Sequence, residues 1–509
     1  MNAPRAVVLG VLLGVAGCAA GPDYHRPAVD APAAFAALDA SGATPAPAPA
    51  LADQQLASWW RTLGDHELDS LVERAITANP DLEIALTRLQ QARTYEAVVL
   101  GYALPEVDAS AAAGRGTGTD LTRGRVAQAL VSADNTNGLQ HINTIAGFDA
   151  VWELDVFGKY RREIEAARYD RQAAAAARNG VLTSVVADVV RAYVELRGFQ
   201  TQAAILQKAS AVLRESLRLV TIRYERGITN ELDVTLAARE LATLEAQIAP
   251  VNAQASAAQY GLAVLLGEYP ETLAKELAEA QPIPALPEAV QPGVPVDLLK
   301  RRPDIQQAER ELAGATARIG VATADLFPQI ALVGAIGSQG QGWGTTPVVN
   351  KHIWSFGPGA IWPLLDFGTL DGLADIADLE AHARLAIYRR TILGAVQDVD
   401  TAFTAYNAEQ DRLLRLGEGM LAGERAVELA TERYERGLTD YLNVVDAERQ
   451  FYDLQEQYVT AQVAEAEQFV QLYKSLGGGW ENYQAVPAIR RPQPAIIAAF
   501  RRVLSSSPP

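Results

Sequence analysis

Cysteine is almost missing from this chain: one residue, Cys18, in 509. That excludes a disulfide framework and any metal site built from several thiolates. The five histidines (His25, His66, His141, His352 and His382) stand far apart, none four residues from another, so no metal centre is expected. Blocks of Lys and Arg are also lacking. With 44 basic against 61 acidic residues and a formal charge of −17, the chain has nothing to hold nucleic acid, because phosphate attraction needs clustered positive charge. There is no Walker loop and no G-x-S-x-G nucleophile elbow, and paired carboxylates such as Asp398 and Asp400 read as solvated helix positions. Neither an enzyme nor a bound cofactor is expected. Wholesale disorder and collagen-like repetition are excluded too, since 49% of the residues are apolar and 21% charged.

The amino end carries a compartment signal. Arg5 precedes an uncharged apolar run, Ala6 to Gly17, too short for the roughly 20 residues of a membrane span but suited to a secretory h-region. The run ends in Val15-Ala16-Gly17-Cys18, which resembles a bacterial lipobox, and this implies a signal peptide over 1–17 and a mature chain lipidated at Cys18. Ala19 follows rather than Asp, so the usual inner-membrane retention signal is missing and outer-membrane sorting is expected. Several acyl chains anchor firmly where one does not. Residues 18–60 then form the anchor and a tether, whose Ala/Pro-rich stretch from Ala28 to Ala50 cannot build a core.

The rest of the chain is one unit written twice. Arg223-Tyr224-Glu225-Arg226-Gly227-Ile228-Thr229 recurs 210 residues later as Arg433-Tyr434-Glu435-Arg436-Gly437-Leu438-Thr439. Trp152 and Phe157-Gly158 return at the same offset as Trp362 and Phe367-Gly368. Earlier landmarks are 223 apart: Pro80-Asp81-Leu82 answers Pro303-Asp304-Ile305, and Leu104-Pro105 answers Phe327-Pro328. The first copy therefore carries 13 extra residues, placed in the Gly/Thr/Asn/Asp-rich stretch from Gly114 to Asn143. The repeats are set at 61–280 and 281–477, with a tail over 478–509.

Each unit should hold a long helical hairpin. Tyr160 to Arg226 contains no proline, and Leu182, Val185, Val189, Tyr193 and Leu196 mark a helix seam. About 65 residues at 1.5 Å each make a rod on the order of 100 Å. A return helix is expected from Glu231 to Leu266, with Gly227 at the break and Thr229 or Asn230 as cap. The second copy repeats this over Leu370–Arg436 and Tyr441–Leu476.

Between Asn143 and Phe157 the period changes to two. Phe148, Ala150, Trp152, Leu154 and Val156 share one face, and Asp149, Glu153 and Asp155 the other. His352 to Asp366 presents Trp354, Phe356, Ala360, Trp362 and Leu364 likewise, with partner strands at Pro105–Ala113 and Pro328–Ser338 and a short loop over Gln339–Val349. Aromatic-outward, polar-inward strands suit a membrane barrel, yet four cannot close one and an open edge cannot sit in lipid. Several protomers must share it.

Taken together, Trp59-Trp60, the Asn79-Pro80-Asp81-Leu82 helix start, Trp152 to Gly158, both tip motifs and the closing Leu476-Gly477-Gly478-Gly479-Trp480 resemble the TolC-like outer-membrane factors, most closely their lipidated OprM/NodT branch. The resemblance implies a mixed α/β membrane protein: a homotrimer whose twelve strands form one barrel above a coiled-coil tunnel of twelve helical strands. It implies an outer-membrane channel subunit of a tripartite efflux system, working passively with a periplasmic adaptor and, through it, an inner-membrane transporter. Arg223, Arg226, Gly227, Ile228 and Thr229, with Arg433, Arg436, Gly437, Leu438 and Thr439, are then the adaptor-binding tips. Asp233, Tyr434, Asn443 and Asp446 line the periplasmic gate, and three copies of Asp446 make an anionic ring. Asn443 and Thr439 stand where the TolC branch has an acid and an Arg, so hydrogen bonds and packing are expected to replace its salt-bridge lock. A type I secretion or metal-efflux conduit is the alternative within transport. A non-conducting envelope lipoprotein is the alternative outside it, and the duplicated strand pairs speak against that.

Overall fold

The computed structural model describes residues 19–29, 32, 35–36, 56–116, 141–287, 295–343 and 346–483. The signal segment 1–17, Cys18, most of the tether and the tail beyond Tyr483 lie outside the described residues. In chain order come α1 (His66–Ala78), α2 (Pro80–Tyr102), β1 (Glu106–Gly116), β2 (His141–Leu154), α3 (Lys159–Glu225), α4 (Glu231–Leu265), α5 (Pro270–Glu276) and α6 (Pro295–Arg301). With α6, the second copy supplies α7 (Pro303–Ala324), β3 (Gln329–Trp343), β4 (Thr346–Ile361), α8 (Thr369–Glu435) and α9 (Tyr441–Ser475). The starts of α3/α8 and α4/α9 keep the 210-residue offset, and those of α2/α7 keep 223.

The strands form one antiparallel sheet in the order β1-β2-β3-β4, leaving β1 and β4 as free edges. Its register sorts residues into rows. Ala109, Phe148, Ile336 and Trp354 lie side by side, as do Val107, Ala150, Gly334 and Phe356. The large members of both rows are exposed. The row between them, Asp108, Asp149, Ala335 and Ser355, is small and polar. An apolar face and a polar face at period two describe a wall between lipid and water. At its base, Trp152 Nε1 donates to the Ala103 carbonyl and Trp362 Nε1 to the Leu326 carbonyl, both at 3.1 Å, so each repeat fastens strand to preceding helix alike.

The strands depart from expectation at their ends. Both β3 and β4 run into the expected loop over Gln339–Val349, with a register shift at Gln341/Gly342, where Gly342 is paired with Pro347, a residue without an N–H to give the ladder. At the other end β2 stops at Leu154 and β4 at Ile361. Asp155, read as a strand-face residue, instead accepts from the N–H groups of Tyr160 (3.1 Å) and Arg161 (2.9 Å) at the start of α3. Asp366 does the same for Gly368 (3.2 Å) and Leu370 (2.8 Å), and Pro363 has no N–H to extend the ladder.

Below the sheet, α3 and α8 each run unbroken for 67 residues. An apolar stretch of α3 is long enough to cross a membrane, yet half of it is buried within the protein, where it forms the spine of the waist. The other two helical strands are interrupted there: α4 ends against the start of α2, and α9 against the start of α7. Asn79 makes the first joint. Its Oδ1 caps α2 through the N–H groups of Asp81 (2.9 Å) and Leu82 (3.1 Å), while Nδ2 donates to the last turn of α4 at Leu265 O (2.8 Å). Arg302 makes the second, its Nη1 donating to Ser475 O (2.9 Å) and its Nη2 pairing with Asp304 (2.7 Å) and Asp398 (2.9 Å). Asp398 is thus no idle solvated carboxylate but part of the joint.

Motifs remote in sequence meet in the waist core. Trp59 stacks on Tyr473 with centroids 5.2 Å apart, and it crosses Trp60 edge-on at 6.2 Å. The glycines after α9 close over this pair: a Cβ on Gly478 would stand 2.8 Å from Leu56 O, and Gly479 has φ +103°. Truncating either buried tryptophan to alanine is expected to cost about 3–5 kcal/mol.

The two joints make a graded prediction. Arg302→Ala strands buried carbonyls and half-exposed acids, a loss of about 2–4 kcal/mol, while Asn79→Ala loses a cap and one further bond, about 1–2 kcal/mol. Thermal unfolding of the solubilised protein followed by circular dichroism should show the larger drop for Arg302→Ala. Equal small drops would mean that Arg302 does not clamp the waist.

Candidate functional site at the hairpin tips

Each hairpin turns through the same backbone device. Arg226 is the last residue of α3's right-handed path and Gly227 follows with φ +68°, while Gly437 has φ +70° at the end of α8. The N–H of Gly227 reaches Tyr224 O (2.8 Å) and that of Ile228 reaches Arg223 O (2.9 Å). Gly437 and Leu438 repeat this with Tyr434 O (3.0 Å) and Arg433 O (2.9 Å). This is the paired closing bond of a helix stopped by a left-handed glycine. Nothing within 4 Å would meet a Cβ on either glycine, so within one chain the requirement is for the dihedral angle and not for close approach. Ile228 and Leu438 point outward, both exposed, beside the exposed Arg226 and the Arg436–Glu432 ion pair.

Identical turns lead to unlike surroundings. Arg223 lies over the Tyr434 ring at 4.8 Å, whereas its repeat Arg433 is exposed. Tyr434 in turn meets Tyr441 at 5.1 Å, and the Tyr441 hydroxyl shares a 2.8 Å hydrogen bond with Ser216. Burial pushes the Tyr441 hydroxyl up to about 12, so it stays neutral and can donate. Val220, Ala237, Val444 and Val445 pack around these rings. The first hairpin is therefore fastened to the second through Arg223–Tyr434 and Ser216–Tyr441. Sequence reasoning missed Tyr441 and Ser216. The signal was present in the repeat alignment, where Tyr441 replaces Glu231, a tyrosine for an acid at the first position of a returning helix.

The expected gate residues divide into two kinds. Asp233 is buried, accepting from the Thr229 hydroxyl while its own N–H is capped by Asn230 Oδ1 (3.1 Å). It therefore braces its own turn. Asn443 Nδ2 donates to Thr439 Oγ1 at 2.7 Å, the same pairing four residues apart, in a neutral form. Asp446 is exposed and touches Arg449 (2.9 Å) and Gln450 (2.8 Å). An exposed pair three residues apart holds little energy and leaves most of the carboxylate's field free. Among the described residues, no three His, Cys, Asp or Glu side chains converge to hold a metal ion.

This architecture matches known proteins over nearly its whole length. The chain is 29% identical to nodulation protein T of Rhizobium leguminosarum bv. viciae, with 99% of this chain and 98% of that protein aligned. It is 29% identical to the toluene efflux pump outer membrane protein TtgF of Pseudomonas putida, covering 94% and 98%. Among solved structures, the outer-membrane channel OprN superposes with a TM-score of 0.81 at 34% identity, over 92% of this chain and all of that one. The open-state MtrE outer membrane channel of Neisseria gonorrhoeae gives 0.74 at 25%, over 92% and 100%. The fold is that of trimeric outer-membrane efflux channels. Residues 71–268 and 294–478 match the model of the outer membrane efflux protein family, a family of channels and not of enzymes, and the chain belongs to it.

Proposed function

We propose that three copies of this chain close one twelve-stranded barrel in the outer membrane, continued by a tunnel of helical strands across the periplasm. The tunnel passes substrates outward, delivered by an inner-membrane transporter through a periplasmic adaptor. The observation that carries this is the open sheet. Its free edges β1 and β4 continue into α2 and α8, and those helices expose Ile84, Tyr95 and Val98 on one side and Ile376, Leu379 and Leu393 on the other. Unpaired edges and apolar flanks on opposite sides are what a ring of identical wedges needs. No energy-coupling site is required, because the chain only conducts. Lipidation at Cys18 holds each protomer to the membrane. The exposed tips, Gly227-Ile228-Thr229 and Gly437-Leu438-Thr439 with their flanking arginines, meet the adaptor, and the contacts between hairpins close the periplasmic mouth.

Three measurements test this. Arg223→Ala and Tyr434→Ala each remove the cation–π contact, worth about 1 kcal/mol, so the open population in planar-bilayer recordings should rise about fivefold for each and not multiply in the double variant. Unchanged conductance would place the gate elsewhere. Asp446→Ala should move the cation-to-anion permeability ratio towards one, and an unchanged ratio would remove Asp446 from the pore. Mass spectrometry of the mature protein should find a chain beginning at an acylated Cys18, which Cys18→Ala abolishes; an unmodified thiol would rule out the anchor.

A further inference from the structure

Above the tips, two apolar clusters lie along the seam between the hairpins. The lower cluster contains Val220, Ala237, Tyr441 and Val445. The upper one contains Leu206, Leu213 and Leu244, with Tyr452 packed against it. Between them stand Glu240 on α4 and Glu448 on α9, at 7% and 6% exposure. Glu448 Oε2 is buried without a hydrogen-bond partner, and the nearest cation to Glu240 is Arg239, an exposed side chain 3.8 Å away. A buried carboxylate with no partner costs several kcal/mol if charged, and two that face each other cost more. Hydrophobic residues at both positions would have completed the seam.

We propose that Glu240 and Glu448 form a proton-operated latch between the hairpins. While Glu448 holds its proton the seam stays shut, and losing it sets a second buried charge near Glu240 and loosens the tips. Protons have a route as far as Glu240, which borders a cavity of about 290 Å³ together with Arg239, Tyr452 and Arg449, the residue next to Glu448 in the chain. Among the described residues no ion pair reaches Glu448, and the exposed Arg239 stands beside Glu240 only. Arg449 turns to Asp446, and on α3 Arg214 is held by Glu245 at 2.6 Å, with Ser210 and Ser216 neutral. On α8, Arg425 pairs with Glu428. Tyr441 and Tyr452 are both pushed up to about 12 by burial and stay protonated.

Burial first, and the Glu240 charge second, push Glu448 up to about 7. A raised carboxyl means that the closed seam binds its proton more tightly than an opened, hydrated one. Closure is therefore favoured most below the ordinary carboxylate range. That advantage shrinks as pH rises, and it is gone above about 7. The latch goes beyond the conduit reading and is measured independently of it.

Ala237→Cys places a thiol inside the lower cluster of the full-length protein, whose one native cysteine is at position 18. Its maleimide labelling rate, divided by the rate in an added Glu448→Gln background at the same pH, cancels thiol ionisation. The ratio should rise about tenfold from pH 6 to 8, levelling off above 7. Glu240→Gln should shift that rise to lower pH. Val445→Cys gives the same readout from α9 should Ala237→Cys disturb packing. A ratio constant across pH, or one that follows added Mg²⁺ at fixed pH, overturns the latch. Labelling reads the seam even in a protein that conducts nothing, so failure of the latch and failure of the channel reading remain distinct.

Discussion

A peptide N–H in hydrocarbon has no water to bond, so a sheet that enters lipid must pair every strand on both sides. Four strands with the edges β1 and β4 open cannot meet that demand alone. Much of the remaining architecture follows from this constraint. The sheet must be one third of a closed wall, the helices leaving each strand must continue the same curvature, and the flanks of α2 and α8 must carry apolar side chains for a neighbour. The outward rows of Phe148, Ile336 and Trp354 make sense only beside lipid.

Duplication supplies the wall economically but creates a problem at the tips. Two identical hairpins side by side would present the same face to each other as to the outside. The chain breaks the symmetry with few changes. Glu231 becomes Tyr441, and Tyr434 turns into the seam to receive Arg223 while Tyr224 remains exposed. The turns themselves stay alike down to their closing hydrogen bonds, because a left-handed glycine is needed wherever a long helix reverses. What the tip must do for the backbone is conserved between repeats, and what it must do for its neighbour is not.

Helices, strands and repeats were legible because periodicity and offset are local properties. The limits of α3, α4, α8 and α9 fall within a residue of those expected from proline-free seams and the glycine breaks. Strand ends were harder. Whether Asp155 faces water on a strand or caps a helix depends on where the next helix begins, which alternation does not reveal. The waist was harder still: Arg302 and Asp398 are 96 residues apart, and Trp59 meets the Gly477–Gly479 run only after both repeats have folded. At the tips the turns at Gly227 and Gly437 were legible, but the side-chain partners around them were not. For Asp233 the sequence did not reveal its partners within the turn, Thr229 and Asn230.

Strength is distributed unevenly along the rod. At the waist, two tryptophans, a buried arginine clamp and closely approached glycines fix the helices with contacts that each cost several kcal/mol to remove. At the tips, the hairpins are joined by one cation–π contact, one hydroxyl pair and a few valines, terms of about 1 kcal/mol each. A mouth so joined can part without unfolding what lies above it, because the losses stop where the waist begins. The Tyr434 hydroxyl and Arg223 Nε, both buried without hydrogen bonds, weaken the contact between the hairpins further. A fully satisfied tip would be a better-packed end and one harder to part.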